Sequence, residues 1–150
     1  GLPVVPRGSG TGLTGGAVPL EGAIVLSLAR MTRILEVDPE VPCARVEPGV
    51  LNLDLSLTVR GLGLHYAPDP SSQQACSIGG NIATNAGGPH CLASGVTAQH
   101  VLGLELVLAD GEVLRLGGAA PDPPGYDLRG FAVGGEGTLG VVTEALVRLM

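Results

Sequence analysis

Pro6-Arg7-Gly8-Ser9-Gly10-Thr11-Gly12-Leu13-Thr14-Gly15-Gly16 places five glycines in eleven positions, next to aliphatic runs. Without side chains the main chain can come close to a ligand and aim successive N–H groups at it, and such a row of donors forms an anion-binding concavity. Ser9, Thr11 and Thr14 add hydroxyl donors. Arg7 is the sole charged residue among the first twenty, so no carboxylate opposes an incoming phosphate. The rival reading is a flexible linker; the flanking apolar strands and interleaved Thr residues speak against it. Gly10-Thr11-Gly12-Leu13-Thr14-Gly15 also satisfies G-x-G-x-x-G, but that fingerprint requires a helix opening at the turn within a parallel βαβ unit. Here Gly16-Ala17-Val18-Pro19 follows, with a proline and no helical period, so a nicotinamide nucleotide is the weaker fit.

Two further clusters lie far down the chain. Ala67-Pro68-Asp69-Pro70-Ser71-Ser72 is stiffened by its prolines and precedes Ser77-Ile78-Gly79-Gly80-Asn81-Ile82-Ala83-Thr84-Asn85-Ala86-Gly87-Gly88, a run of small residues and donors. Gly134-Gly135-Glu136-Gly137-Thr138-Leu139-Gly140-Val141-Val142 leads into the last apolar run. Three separated loops of this kind can line one long ligand; any one alone is weak evidence.

Composition sets the frame for these loops. The 150 residues include 25 Gly and 12 Pro, a share that approaches low-complexity composition. Yet 45% are hydrophobic and only 15% charged, which supplies the apolar surface that a disordered chain lacks. The net charge is −6, no basic run exists, and the aromatics are two Tyr and one Phe. Nucleic-acid binding, which needs phosphate-neutralising cations or stacking rings, is therefore excluded. No apolar run approaches a bilayer span, so direct membrane insertion is not expected. Cys43, Cys76 and Cys91 lack paired spacing and read as reduced thiols in a cytoplasmic compartment. Both ends break into apolar runs without start or stop signals, so a piece of a longer protein is expected.

Strand character falls on Val4-Val5, 23–28, 34–38, 44–47, 100–109, 112–116 and 141–149. Asp110-Gly111 predicts a two-residue hairpin turn with φ > 0 at both central positions. Leu51, Leu53, Leu55 and Leu57 alternate as in a strand, while Leu51, Leu55 and Val59 share a helical face, and periodicity does not decide between them. Residues 78–86 read as a short helix and 117–130 as surface loop. Strands outnumber helices without regular βαβ alternation, which gives an α+β class with largely non-parallel pairing.

Taken together, the three ordered motifs resemble the FAD-linked oxidases of the vanillyl-alcohol-oxidase type, with the PCMH-type FAD-binding domain, over essentially all 150 residues. Asn85-Ala86-Gly87-Gly88-Pro89-His90-Cys91-Leu92 is most similar to the glycolate oxidase D-subunit and D-lactate dehydrogenase group. The resemblance implies two α+β subdomains clamping an extended FAD, and a helix over 50–60. It implies that Pro6, Arg7, Gly8, Ser9, Gly10, Thr11, Gly12, Thr14 and Gly15 hold the pyrophosphate. Pro68, Asp69, Ser77, Gly79, Gly80, Asn81, Ala83, Thr84 and Gly87 would follow the dinucleotide and flavin, with Gly137, Val141 and Val142 on the adenine or ribose side. Relatives with covalent flavin carry His where this chain has Thr11, so non-covalent FAD is expected. Leu92-Ala93-Ser94-Gly95 departs from the usual Leu-Lys-Tyr-Gly and leaves flavin contacts there open.

The implied activity is electron transfer from the α-carbon of a small 2-hydroxy acid to FAD. Its carboxylate-binding cation and its base would come from a C-terminal cap domain absent here, so this stretch alone is expected to bind FAD without turnover. Partner oxidase subunits, including an iron–sulfur subunit, are implied, with cytoplasmic location or peripheral attachment to the membrane through them. The alternative is a non-catalytic flavin-fold subunit of a larger assembly. No catalytic residue is assigned: His90 is the local candidate for a base, against a histidine satisfied by the backbone, the commoner case. Glu136 reads as a ribose ligand or a turn residue. No metal is expected, since His65, His90, His100, Cys76 and Cys91 show no ligand spacing.

Overall fold

Aliphatic runs bounded by turns build two unequal lobes in a computed structural model that describes residues 1–120 and 124–150. The smaller lobe pairs β1 (Val4–Arg7) with β2 (Ile24–Ser27) in parallel, in register from Val4↔Ile24 to Arg7↔Ser27. The larger is a five-stranded sheet of order β3-β4-β7-β5-β6, from β3 (Ile34–Asp38), β4 (Cys43–Val46), β5 (Val101–Val107), β6 (Val113–Gly117) and β7 (Val141–Arg148). Every neighbour in that sheet is antiparallel, so the α+β class holds and β1–β2 is the parallel exception among the described residues. Among the described residues four α-helices complete it: α1 (Asn52–Val59), α2 (Ile78–Thr84), α3 (Cys91–Ser94) and α4 (Leu128–Ala132).

Burial settles the ambiguous leucines. In α1, Asn52, Leu55 and Val59 face inward at spacings of three and four, whereas Leu57 is exposed, a helical and not an alternating pattern. Leu55 and Val59 join Ile78 and Ile82 of α2, together with Val50 and Tyr66, against the inner face of the sheet, formed by Ala44, Val46, Val101, Leu104, Ala145 and Val147. The opposite face carries charges that pair across strands: Arg45 Nη1 with Glu144 Oε1 at 2.6 Å, and Arg115 Nη2 with Glu105 Oε2 at 3.0 Å. Alternation along β4, β5 and β7 thus sorts a dry face from a wet one.

Two local expectations are corrected. Asp110-Gly111 does join β5 to β6, but only Gly111 has positive φ (+88°). Leu108 N–H donates to the Glu112 carbonyl (2.8 Å) and Gly111 N–H to that of Leu108 (3.0 Å), the signature of a longer loop closed by a left-handed glycine. Asp110 stays out of the left-handed region, and its carboxylate accepts from Glu112 N–H at 3.0 Å. The expected 117–130 loop gives way to α4 from Leu128, where Asp127 caps the helix by accepting from Gly130 N–H at 2.8 Å. Residues 121–123 of that expected loop lie outside the described residues.

Leu55 has no exposed surface, so Leu55→Ala is expected to cost about 2–5 kcal/mol through lost burial and the cavity left behind; urea unfolding followed by circular dichroism measures it. Glu47 accepts from Arg33 N–H (2.8 Å), Nε (3.0 Å) and Nη2 (2.8 Å), which holds its carboxyl below the usual glutamate value. A depressed folded-state pKa contributes stability above the unfolded value and loses it as pH falls through the folded one. Glu47→Gln should therefore lower Tm at pH 7 and leave it little changed once the pH is well below the usual glutamate value of about 4.3.

Candidate functional site

The loop after β1 crosses the start of α2, and the gap between the lobes forms two adjoining hollows. One, of about 630 Å³ with its open mouth, is apolar, walled by Leu28, Pro48, Leu106, Leu139, Val141 and Val142. The other, about 770 Å³, is lined by hydroxyls, amides and bare main chain from Ser9, Thr11, Thr14, Ser72, Asn81 and Thr84. Pro6, Gly8, Ser77, Gly80, Ala83 and Glu136 border both. An elongated molecule with one flat apolar end and a polar, anionic middle matches this shape.

Local sequence explains the walls. Ser77 caps α2, its Oγ accepting from Gly80 N–H at 3.3 Å, and faces the cleft. Asn85 ends the helix in the left-handed conformation (φ 46°), with its N–H returned to the carbonyls of Asn81 and Ile82. Gly79 lies against the preceding loop so closely that a Cβ would sit 2.6 Å from Pro48 Cβ. Gly137 combines φ +77° with a would-be Cβ only 2.7 Å from Pro6 Cγ, so it joins the third cluster to the first at a point closed to side chains. Beneath the floor, fully buried Asn52 donates through Nδ2 to the Pro68 carbonyl (2.9 Å) and to Asn81 Oδ1 (2.8 Å), and Asn81 Nδ2 reaches Cys76 Sγ at 3.2 Å.

The structure brings Pro6, Gly8, Ser9, Gly10, Thr11, Gly12 and Thr14 to the same cleft as Ser77, Gly79, Gly80, Asn81, Ala83 and Thr84, with Gly137, Val141 and Val142 opposite. Five residues named with them do not line it. Arg7 folds back over its own loop near Gly10, and Gly15 shapes a turn by accepting from Val18 N–H at 2.9 Å. Pro68 is buried beneath Asn52, Asp69 pairs with His90, and Gly87 packs on Cys91 Sγ. Sequence reading missed Leu28, Leu106, Ala132 and Leu139, whose aliphatic side chains carry no signal separating a cleft wall from a core. Glu136 is the one charged side chain lining either hollow among the described residues; its φ is +50° and its N–H donates to the Ala83 carbonyl at 2.8 Å.

From Gly8 to Ala17, no main-chain N–H finds a protein acceptor among the described residues. A consecutive row of free donors beside a cleft fits a diphosphate, and the adjoining apolar hollow fits an aromatic base. Fold and site together define a two-lobed nucleotide-binding domain that uses loops, not a βαβ turn, to hold its ligand. Residues 1–117 match the family described as FAD binding domain, and the chain belongs to that family. It is 54% identical over 149 residues to glycolate oxidase subunit GlcD of Escherichia coli K12, covering 99% of this chain and 30% of that protein. It is 46% identical over 149 residues to D-lactate dehydrogenase of Archaeoglobus fulgidus, covering 99% and 33% respectively. The solved structure of alkyldihydroxyacetonephosphate synthase superposes with a TM-score of 0.87 at 26% identity, over 99% of this chain and 29% of that one. The chain thus spans about a third of its relatives' length. Its cofactor is FAD, held non-covalently, and Thr11 stands where covalent relatives carry the linking histidine.

Gly137→Ala should weaken FAD binding tenfold or more, about 1.4 kcal/mol, while circular dichroism stays that of the folded domain. Unchanged affinity in a fluorescence titration would remove Gly137 from the nucleotide site.

Proposed function

We propose that residues 1–150 are the FAD-holding part of a flavin-dependent 2-hydroxy-acid dehydrogenase or oxidase of the glycolate or D-lactate type. The observation that carries this reading is the unpartnered row of N–H groups from Gly8 to Ala17, set across the cleft from Ser77 and Gly80. These donors, with the hydroxyls of Ser9, Thr11 and Thr14, bind the diphosphate, and the hollow between Leu28, Pro48 and Val142 takes the adenine. Pro6 and Gly137 close the two lobes over the junction, and the Asn52–Asn81 pair fixes the floor. Bound FAD accepts the two electrons released when the α-carbon of the hydroxy acid is oxidised. The protein's part is to hold the nucleotide extended and to exclude water from the apolar hollow.

The 2-hydroxy-acid class rests on the names of the relatives, glycolate oxidase and D-lactate dehydrogenase. In this reading the substrate carboxylate is gripped by a cap domain encoded beyond residues 1–150, and other oxidase subunits, including an iron–sulfur subunit, receive the electrons. Among the described residues no helix is long and apolar enough to cross a membrane. The proposed location is cytoplasmic, with any membrane contact made through partner subunits.

Flavin-free chain titrated with FAD, FMN and NAD should take up FAD selectively, turning yellow with flavin fluorescence quenched. Folded protein that stays colourless in excess FAD would overturn the reading. With FAD bound, residues 1–150 alone should not reduce a dye with glycolate or D-lactate; turnover would show that no cap is needed.

A further inference from the structure

We propose that the Glu136 carboxylate accepts hydrogen bonds from the 2′ and 3′ hydroxyls of the adenosine ribose of FAD, and so selects a nucleotide whose ribose edge is free of phosphate. This deepens the function proposed above and rests on its placing of the adenine. Glu136 borders both hollows and is the one charged side chain lining either among the described residues. Its main chain is fastened to the end of α2: Gly134 N–H donates to the Ile82 carbonyl (2.8 Å) and Glu136 N–H to that of Ala83 (2.8 Å). Thr138 N–H closes the turn on the Gly135 carbonyl (2.9 Å). From that anchor the side chain reaches toward the loop after β1, where a Cβ on Gly16 would lie 3.3 Å from Glu136 Oε2. The carboxylate thus extends from the third glycine cluster to the first, yet it has no hydrogen-bond or ion-pair partner among the described residues.

An anion is out of place beside a diphosphate unless another part of the ligand meets it. Like charges repel, and a carboxylate offers only acceptor oxygens, so its ligand partner has to be a donor. In FAD laid from the apolar hollow to the polar one, the piece at the junction is the ribose that links adenine to diphosphate. Its open edge carries two hydroxyls on adjacent carbons. These two donors match the two oxygens of one carboxylate, and hydrogen bonds to a charged acceptor are short and strong. The ribityl chain of FAD also carries hydroxyls, but it stands on the far side of the diphosphate from the adenine.

The same arrangement works against other ligands. A phosphate on the 2′ or 3′ oxygen would set a second anion on Glu136 with no donor between them, a repulsive element that builds selectivity. Nor does the turn need an acidic residue for its own sake. Its three hydrogen bonds run through main-chain atoms, and a φ of +50° at position 136 favours glycine. A charged side chain kept at a strained position is accounted for by contact with the ligand.

The test uses the flavin-free full-length protein, with Glu136→Gln to keep the shape of the side chain and Glu136→Gly to remove it where φ is positive. Both should weaken FAD about tenfold or more in a fluorescence titration. In competition against FAD, the parent should bind ADP more tightly than 2′-deoxy-ADP, 3′-deoxy-ADP or 3′-phospho-ADP, and that preference should collapse in Glu136→Gly. Inorganic pyrophosphate, which has no ribose, should bind the variants as well as or better than the parent, because a repelling charge is gone. Uniform weakening of ADP, its deoxy forms and pyrophosphate would assign Glu136 to the turn and overturn the proposal. Weaker FMN with unchanged ADP would move the carboxylate to the ribityl side and overturn it too. So would unchanged FAD affinity in both variants, or a parent in which ADP fails to compete or is not told apart from its deoxy forms. Failure of the parent to bind FAD at all would sink the proposed function as well.

Discussion

The main chain at Pro48 and the first turn of α2 at Gly79 share a space too narrow for any side chain. Three hydrogen bonds lace the seam: Gly79 N–H to the Pro48 carbonyl (2.8 Å), Ile78 N–H to that of Val50 (2.8 Å) and Asn52 N–H to that of Cys76 (2.9 Å). Gly49 approaches the carbonyls of Leu28 and Met31 just as closely, which brings the end of β2 to the same point. One contact thus sets the position of α2, the entry to α1 and the junction with the end of β2. Widening it by a methyl group would shift the helix whose residues floor both hollows, and so the cleft inherits its dimensions from the packing of its own wall at Pro48 and Gly79.

Around that seam the molecule divides its labour. The large lobe pairs most of its polar groups internally, through sheet ladders, the caps at Ser77 and Asp127, and the amides of Asn52 and Asn81, though among the described residues Asn52 Oδ1, Tyr66 OH and His100 Nδ1 stay buried without a partner. The loop from Gly8 to Ala17 does the opposite and leaves its donors to water. Exposed N–H groups are solvated and cost little; aligned by glycine-rich main chain, they exchange water for phosphate oxygens without needing to reorganise. Glu136, the one anion lining the cleft among the described residues, adopts a left-handed conformation with its N–H bonded to the Ala83 carbonyl, a local strain of the kind concentrated at ligand sites.

Much of this was legible in the residues. β3 matched its apolar run residue for residue, and the glycine clusters marked the loops that meet at the cleft, because absent side chains leave a compositional trace. Leu51 to Leu57 stayed undecided because alternating leucines fit either period; only the burial of Leu55 beside exposed Leu57 separates them. The Asp110-Gly111 turn was located but mistyped, since the same dipeptide serves two loop geometries that differ in whether the aspartate must cross to positive φ. Arg7 and Asp69 were placed at the ligand by their neighbours in sequence, while their side chains turn toward Gly10 and His90. Direction of a side chain is a tertiary property, and the motif does not encode it.

The order of strands has a consequence for how the polypeptide is born. β7, the strand latest in sequence among the described residues, lies between β4 and β5 at the centre of the large sheet. On the ribosome the β3–β4 and β5–β6 hairpins can each pair as they emerge, but they have no shared edge until Arg148 has cleared the exit tunnel. Until β7 is made, the nascent chain therefore carries two open strand edges and a half-covered apolar face, the features that recruit chaperones. Closure of this domain is timed by the ribosome, and a pause or truncation short of β7 would release two hairpins in place of a fold.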